Sequence, residues 1–89
     1  MPNQANCDPV VVAHHEQTGD AAVQVGRFKV ALDEFREVYP CKPAAMSKAY
    51  LAACKSGSYR DAKTLFLKIG KDSLAQICAR EGFDPRVQP

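Results

Sequence analysis

The chain is expected to fold as an all-α domain of five helices: two antiparallel helical hairpins stacked on each other, followed by a C-terminal capping helix. Three observations predict this. The pattern Gly26-Arg27-Phe28 with Ala31 and Phe35 recurs 31 residues later as Gly57-Ser58-Tyr59 with Ala62 and Phe66, and self-similarity at such a period marks units that each bury an apolar face on the next. Apolar residues return at three- and four-residue steps, the spacing of one helix face. Glycines and prolines at 26, 40, 43, 57, 70 and 82 divide those stripes into helix-sized pieces.

Asp8-Pro9 opens helix one, with a side chain able to cap and a proline at the first helical position, where its missing N–H costs nothing. This helix should run to about Val25. Gly19 lies inside it at a cost of about 1 kcal/mol relative to Ala, so it needs a packing reason. After the break at Gly26, Phe28, Ala31, Leu32, Phe35, Val38 and Tyr39 form the stripe of helix two, which Pro40 ends. Tyr39-Pro40-Cys41-Lys42-Pro43 reads as a stiff corner. Helix three should occupy about 44–56, with Met46, Ala49, Tyr50 and Ala53 in one stripe and Lys55-Ser56-Gly57 closing it. Helix four follows at about 58–69 with Tyr59, Ala62, Leu65, Phe66 and Ile69. Gly70 stops it, and Asp72 is expected to cap a fifth helix carrying Leu74, Ile77 and Cys78 as far as Gly82. Residues 1–7 read as a disordered N-terminal segment, 8–83 as the helical domain and 84–89 as a frayed tail.

Eighty-nine residues make one small domain, near the size at which a core alone supplies only a few kcal/mol. The 46% hydrophobic content overstates the large side chains available, because thirteen of those residues are alanine and none is tryptophan. Close helix packing must substitute for bulk. A net charge of +2, from 12 basic and 10 acidic residues spread along the chain, does not advertise a surface for nucleic acid or anionic lipid. No apolar run, Val10 to Ala13 included, approaches the length of a membrane span, and residues 1–8 lack the pattern of a signal peptide. The chain therefore reads as soluble.

In this pattern the chain resembles the tetratricopeptide repeat family, whose helix pairs set small residues where two helices touch and aromatics in the holes between them. Under that resemblance Gly19 and Ala22 are the close-contact residues of the first helix, Gly26 the turn, Phe28 the aromatic after it, Ala31 the small residue at the crossing, Phe35 the large core residue and Pro43 the proline ending the unit. The second unit matches at Ala49, Ala53, Gly57, Tyr59, Ala62 and Phe66 but carries Tyr50 where a glycine-like residue would fall. Its period of 31 is shorter than the family's usual 34. The resemblance covers roughly residues 12–69 and implies a short right-handed solenoid capped by helix five.

The family's work is binding, which implies a protein-interaction or assembly module without catalytic activity. A concave face lined by the first helix of each pair would hold an extended or helical peptide. Here that face would carry Ala13, Glu16, Gln17, Asp20, Val23 and Gln24 from helix one, and Ser47, Lys48, Leu51 and Lys55 from helix three. It is acidic at one end and basic at the other. The family subset that clamps a C-terminal carboxylate places Lys and Asn at several of these sites, and Glu16 and Asp20 depart from it. Charge reversal at Glu16 and Asp20 is expected to alter partner binding with little change in helical content. The partner is a protein or peptide, with self-association as one form of it.

Cys7, Cys41, Cys54 and Cys78 allow three full pairings. Cys41 and Cys54 would stand about 17–20 Å apart along a helix, beyond the ~7 Å reach of a bridge. In stacked hairpins the first helices run parallel, which would put Cys7 beside Cys41 and Cys54 beside Cys78. The alternative is four reduced, buried thiols in a cytosolic protein. The compartment is correspondingly either cytoplasmic, or periplasmic or exported with a signal sequence removed. No C-x-x-C spacing occurs, which argues against structural zinc or thioredoxin-type chemistry.

His14-His15-Glu16, with Cys7 and Asp8 upstream, collects the common zinc ligand types, but adjacent helical histidines diverge by about 100°. One packed and one solvated histidine is the expected arrangement. Both histidines lie on one stretch and no serine elbow or phosphate-cradling loop exists, so neither an enzyme nor a cofactor is expected. The rival reading is a helix-turn-helix-like nucleic-acid-binding fragment at residues 73–87, suggested by Leu74-Ala75-Gln76-Ile77 with Gly82-Phe83. It requires a recognition helix, for which the proline-bounded end leaves little room.

Overall fold

The structure, a computed structural model, describes residues 7–88. It is all-α: helices α1 (Pro9–Gln24), α2 (Phe28–Val38), α3 (Met46–Lys55), α4 (Tyr59–Ile69) and α5 (Ala75–Ala79), with no strand among the described residues. Helix α1 begins as the sequence predicts, with the Asp8 carboxylate accepting from the Val10 N–H at 2.9 Å and Pro9 opening the helix.

The recurring glycines make one recurring turn. After α1, the Arg27 N–H reaches the Ala22 carbonyl at 2.8 Å and the Gly26 N–H reaches Val23 at 3.1 Å. After α3, Ser58 reaches Ala53 at 2.9 Å and Gly57 reaches Cys54 at 3.3 Å. This is the Schellman closure, which needs a left-handed residue at its centre. Gly26 and Gly57 supply it with φ of 78° and 76°. The same turn recurs after α5, where Phe83 reaches Cys78 and Gly82 reaches Ala79, both at 3.0 Å.

Helix α2 packs between α1 and α3, and α3 packs in turn against α4 and α5. The core runs through these contacts: Ala31, Leu32 and Phe35 from α2, Ala49, Tyr50 and Ala53 from α3, and Ala62, Leu65 and Phe66 from α4 are buried. Alanine at the crossings lets backbones approach closely, as the composition requires. On α1 only Gly19 and Ala22 are buried. A Cβ added to Gly19 would stand 2.6 Å from Cε1 of Phe35, so the ring lies directly on bare helix backbone. In the second repeat Tyr50 occupies the matching position. Its ring centroid lies 6.1 Å from that of Phe66, and its hydroxyl donates to the Leu74 carbonyl at 2.8 Å. The mismatch at Tyr50 thus ties α3 to the segment leading into α5. Burial pushes its phenol above the ordinary range.

Two bridges join the cysteines in the arrangement expected of parallel first helices: Cys7–Cys41, with Cα atoms 5.4 Å apart, and Cys54–Cys78, at 4.7 Å. The second is wholly inside the core, both residues having no exposed surface, whereas Cys7 is exposed.

Three expectations need correction. Helix three is shorter than 44–56, because Pro43–Ala45 forms a 3₁₀ turn before α3. The fifth helix is likewise split into a 3₁₀ turn at Asp72–Leu74 and the five-residue α5, and Lys71, not Asp72, occupies the cap position of that turn. The segment from Asp84 is docked where fraying was expected, since Pro85 is buried, as is Phe83 just before it. Phe83 stacks on Tyr59 at 4.8 Å with planes 6° apart, and the Lys63 ammonium donates to the carbonyls of Pro85 and Gln88. Residues 84–88 form turns, so no recognition helix follows α5 within the described residues. Of the disordered segment expected at 1–7, residues 1–6 lie outside the described residues. Cys7 is held by its bridge.

Candidate functional site

A groove bordered by α1, α2 and α3 is built on Phe35. Gly19 admits its ring against α1, and from there the ring forms the floor of that groove of about 340 Å³ lined also by Asp20, Val23, Gln24, Lys48 and Leu51. Five of the ten residues assigned to the binding face therefore converge on one depression. Helical spacing explains why: Asp20, Val23 and Gln24 are neighbours at three- and four-residue steps on α1, as are Lys48 and Leu51 on α3.

The acidic and basic ends foreseen for this face meet each other. Lys48 Nζ donates to Glu16 Oε2 at 2.8 Å and to Asp20 Oδ1 at 3.0 Å, while Lys42 Nζ donates to Glu16 Oε1 at 2.8 Å. Two carboxylates four residues apart on one helix repel each other. The two lysines neutralise that repulsion and bind α1 to the segment around α3. The hydrogen bond from Lys42, then that from Lys48, holds the Glu16 carboxyl below its ordinary range. The bond to Glu16 in turn raises the Lys48 ammonium above its own. Lys48 Nζ also lies 5.8 Å from the centroid of the Phe35 ring, within cation–π range. The groove thus offers an apolar floor beneath an internally balanced charge pair. Charge reversal at Glu16 and Asp20 would also break the ion pairs that join α1 to Lys42 and Lys48.

The remaining five assigned residues fall elsewhere. Glu16 adjoins the groove through Lys48 without lining it. Ala13 and Gln17 line a separate shallow depression with Pro9, Val10 and His14. Ser47 is exposed. Lys55 lies at the far end of α3, paired with Glu81 at 3.1 Å. Phe35 and Lys42 were not assigned to this face. Phe35 has the signal of a core aromatic, and its double role as floor follows from the bare backbone at Gly19.

The residues that raised a zinc reading have other partners. His15 Nδ1 lies 2.7 Å from Glu34 Oε1, Glu16 holds Lys42 and Lys48, and Cys7 is in a bridge. His14 is exposed, so one histidine is packed and one solvated. Among the described residues no three potential ligands gather, and no helix is long and apolar enough to cross a membrane. Comparison with protein-family models, curated proteins and solved structures finds no match.

Proposed function

We propose that this domain is a non-catalytic protein-interaction module of the tetratricopeptide-like kind, which holds a peptide or helix of a partner protein in the groove over Phe35. The observation that carries the reading is the groove itself. It joins an apolar floor of Val23, Phe35 and Leu51 to a rim whose charges are already satisfied by Asp20 and Lys48. A ligand therefore gains by burying an apolar side chain and loses nothing to a bare charge in the rim. At 340 Å³ the groove has the volume of a small-ligand or side-chain pocket. Gln24, exposed at one edge, supplies an amide donor and acceptor for a peptide backbone. The two disulfides support an oxidising compartment as the place where the module works. Lys42 and Lys48, engaged by Glu16 and Asp20, offer no free basic stripe of the kind a nucleic acid would need.

The test is a phage-displayed library of random dodecapeptides panned on the oxidised domain. Enriched peptides should share apolar anchors, and Leu51→Arg should weaken their binding at least tenfold while Val30→Arg, outside the groove, leaves it unchanged. A library that yields no binder sensitive to Leu51→Arg would refute the assignment.

A further inference from the structure

Helix α1 has a second face, and it carries no charge. Its only acidic residues, Glu16 and Asp20, are turned to Lys42 and Lys48, and it has no lysine or arginine. On the side away from them, Val11, His14, Thr18, Ala21 and Val25 follow one another at steps of three and four, the a/d spacing of a helix-pairing seam. Val11 is 46% and Val25 70% exposed, as are Val10 at 77% and, from α2, Val30 at 43%. Thr18 directs its hydroxyl to the His14 carbonyl at 2.9 Å, so its polar group is satisfied within the helix. Thr18, Ala21 and Val25 line one depression together with Ala22, Arg27 and Val30. A helix that is apolar on the face opposite its ion pairs, with no charge to keep it in water, is built to be covered.

We infer that a second copy of this chain covers it, through antiparallel pairing of α1 with α1 about a two-fold axis at Thr18. The seam is its own complement. Reversed about Thr18, Val11 falls on Val25 and His14 comes within one residue of Ala21, and the exposed valines at the two ends of the seam, Val10 and Val11 at one and Val25 with Val30 of α2 at the other, come together twice. The same pairing brings Arg27 beside Asp8 of the second copy, opposite charges at the rim. A partner of different sequence would have no charge on this face to recognise, whereas a self-complementary stripe specifies an isologous contact that closes at two. Sixteen helical residues span about 24 Å, so with the α2 edge each copy buries on the order of 500 Å². That total lies at the lower limit of specific interfaces, and the dimer is therefore weak and reversible. The groove over Phe35 lies on the other side of α1, and a dimer would present two of them.

Sedimentation equilibrium of the oxidised chain from about 10 µM to about 1 mM should show the mass rising from 9.7 kDa toward twice that value. Val11→Lys and Val25→Glu should each move the midpoint at least tenfold higher in concentration. The double variant should restore it, because the two introduced charges attract across an antiparallel pair and repel across a parallel one. Leu67→Lys, exposed on α4, should change nothing. Both valines are exposed, so the fold survives these changes, as circular dichroism would verify. A wild-type chain that stays monomeric throughout, a double variant no better than the single ones, or an equal effect of Leu67→Lys would each overturn the proposal.

Discussion

Gly19→Ala tests the contact on which both the fold and the groove depend. The added Cβ would stand 2.6 Å from Cε1, and 2.9 Å from Cδ1 and Cζ, of Phe35. Ordinary carbon contacts begin near 3.5 Å, so the ring must retreat by about 1 Å. Phe35 is 1% exposed, and overpacking a well-filled site costs about 1–3 kcal/mol. Alanine recovers up to about 1 kcal/mol of helix propensity. The net expectation is a loss of about 1 kcal/mol, read as a fall in Tm of about 4–8 °C for a domain of this size. Because the ring also floors the groove, its retreat takes up groove volume and should weaken selected peptides. Thermal and urea denaturation of Gly19→Ala, Phe35→Leu and the double variant complete the cycle. In the Phe35→Leu background the alanine should be neutral or stabilising, since the smaller side chain leaves room for it. A rise in Tm for Gly19→Ala alone, or the same effect in both backgrounds, would show that the helix and ring do not meet as described.

Other consequences follow from the same contacts. Ala31→Leu and Ala62→Leu enlarge residues with no exposed surface at the hairpin crossings and should each cost about 1–3 kcal/mol by chemical denaturation. Glu16 has a lowered pKa in the folded state, so its contribution is present above the ordinary glutamate value of about 4.3 and is lost as pH falls through the folded value. The stability gap between wild type and Glu16→Gln should accordingly narrow on acidification. Lys48, whose pKa is raised, contributes fully below the ordinary lysine range and loses that contribution at more alkaline pH. The Cys54–Cys78 bridge, spanning 24 residues, is worth about 3.5 kcal/mol by loop-closure entropy. The paired Cys54→Ala and Cys78→Ala substitutions should remove at least that much. Graded reduction followed by alkylation and peptide mapping should open the exposed Cys7–Cys41 bridge first and the buried one only with unfolding.

The helix boundaries were legible wherever a local signal ended the chain's direction, as at Asp8-Pro9, Gly26 and Gly57, because caps and left-handed turns act within a few residues. Gly19 was legible for a different reason: a glycine inside a helix demands a close neighbour, and Phe35 is that neighbour. The cysteine pairing followed from the expected parallel run of the first helices. What escaped depends on tertiary contact. Pro85 looks like a tail residue until Lys63 comes close enough to hold its carbonyl, and nothing local to Phe83 announces its stacking on Tyr59. The groove lies between the two helices that the repeat pattern singled out, but the meeting of Lys48 with Glu16 and Asp20, and the departure of Lys55 toward Glu81, depend on how α1 lies relative to α3. No spacing within either helix encodes that placement.

The most direct measurement is an ¹⁵N-edited NMR titration of the oxidised domain with a peptide selected from the displayed library. Chemical-shift changes should concentrate at Asp20, Val23, Gln24, Lys48 and Leu51, with the Phe35 ring protons moving in step and Leu51→Arg abolishing the response. Shifts centred on the Val11–Thr18–Val25 face, or saturation without any change around Phe35, would contradict the groove assignment.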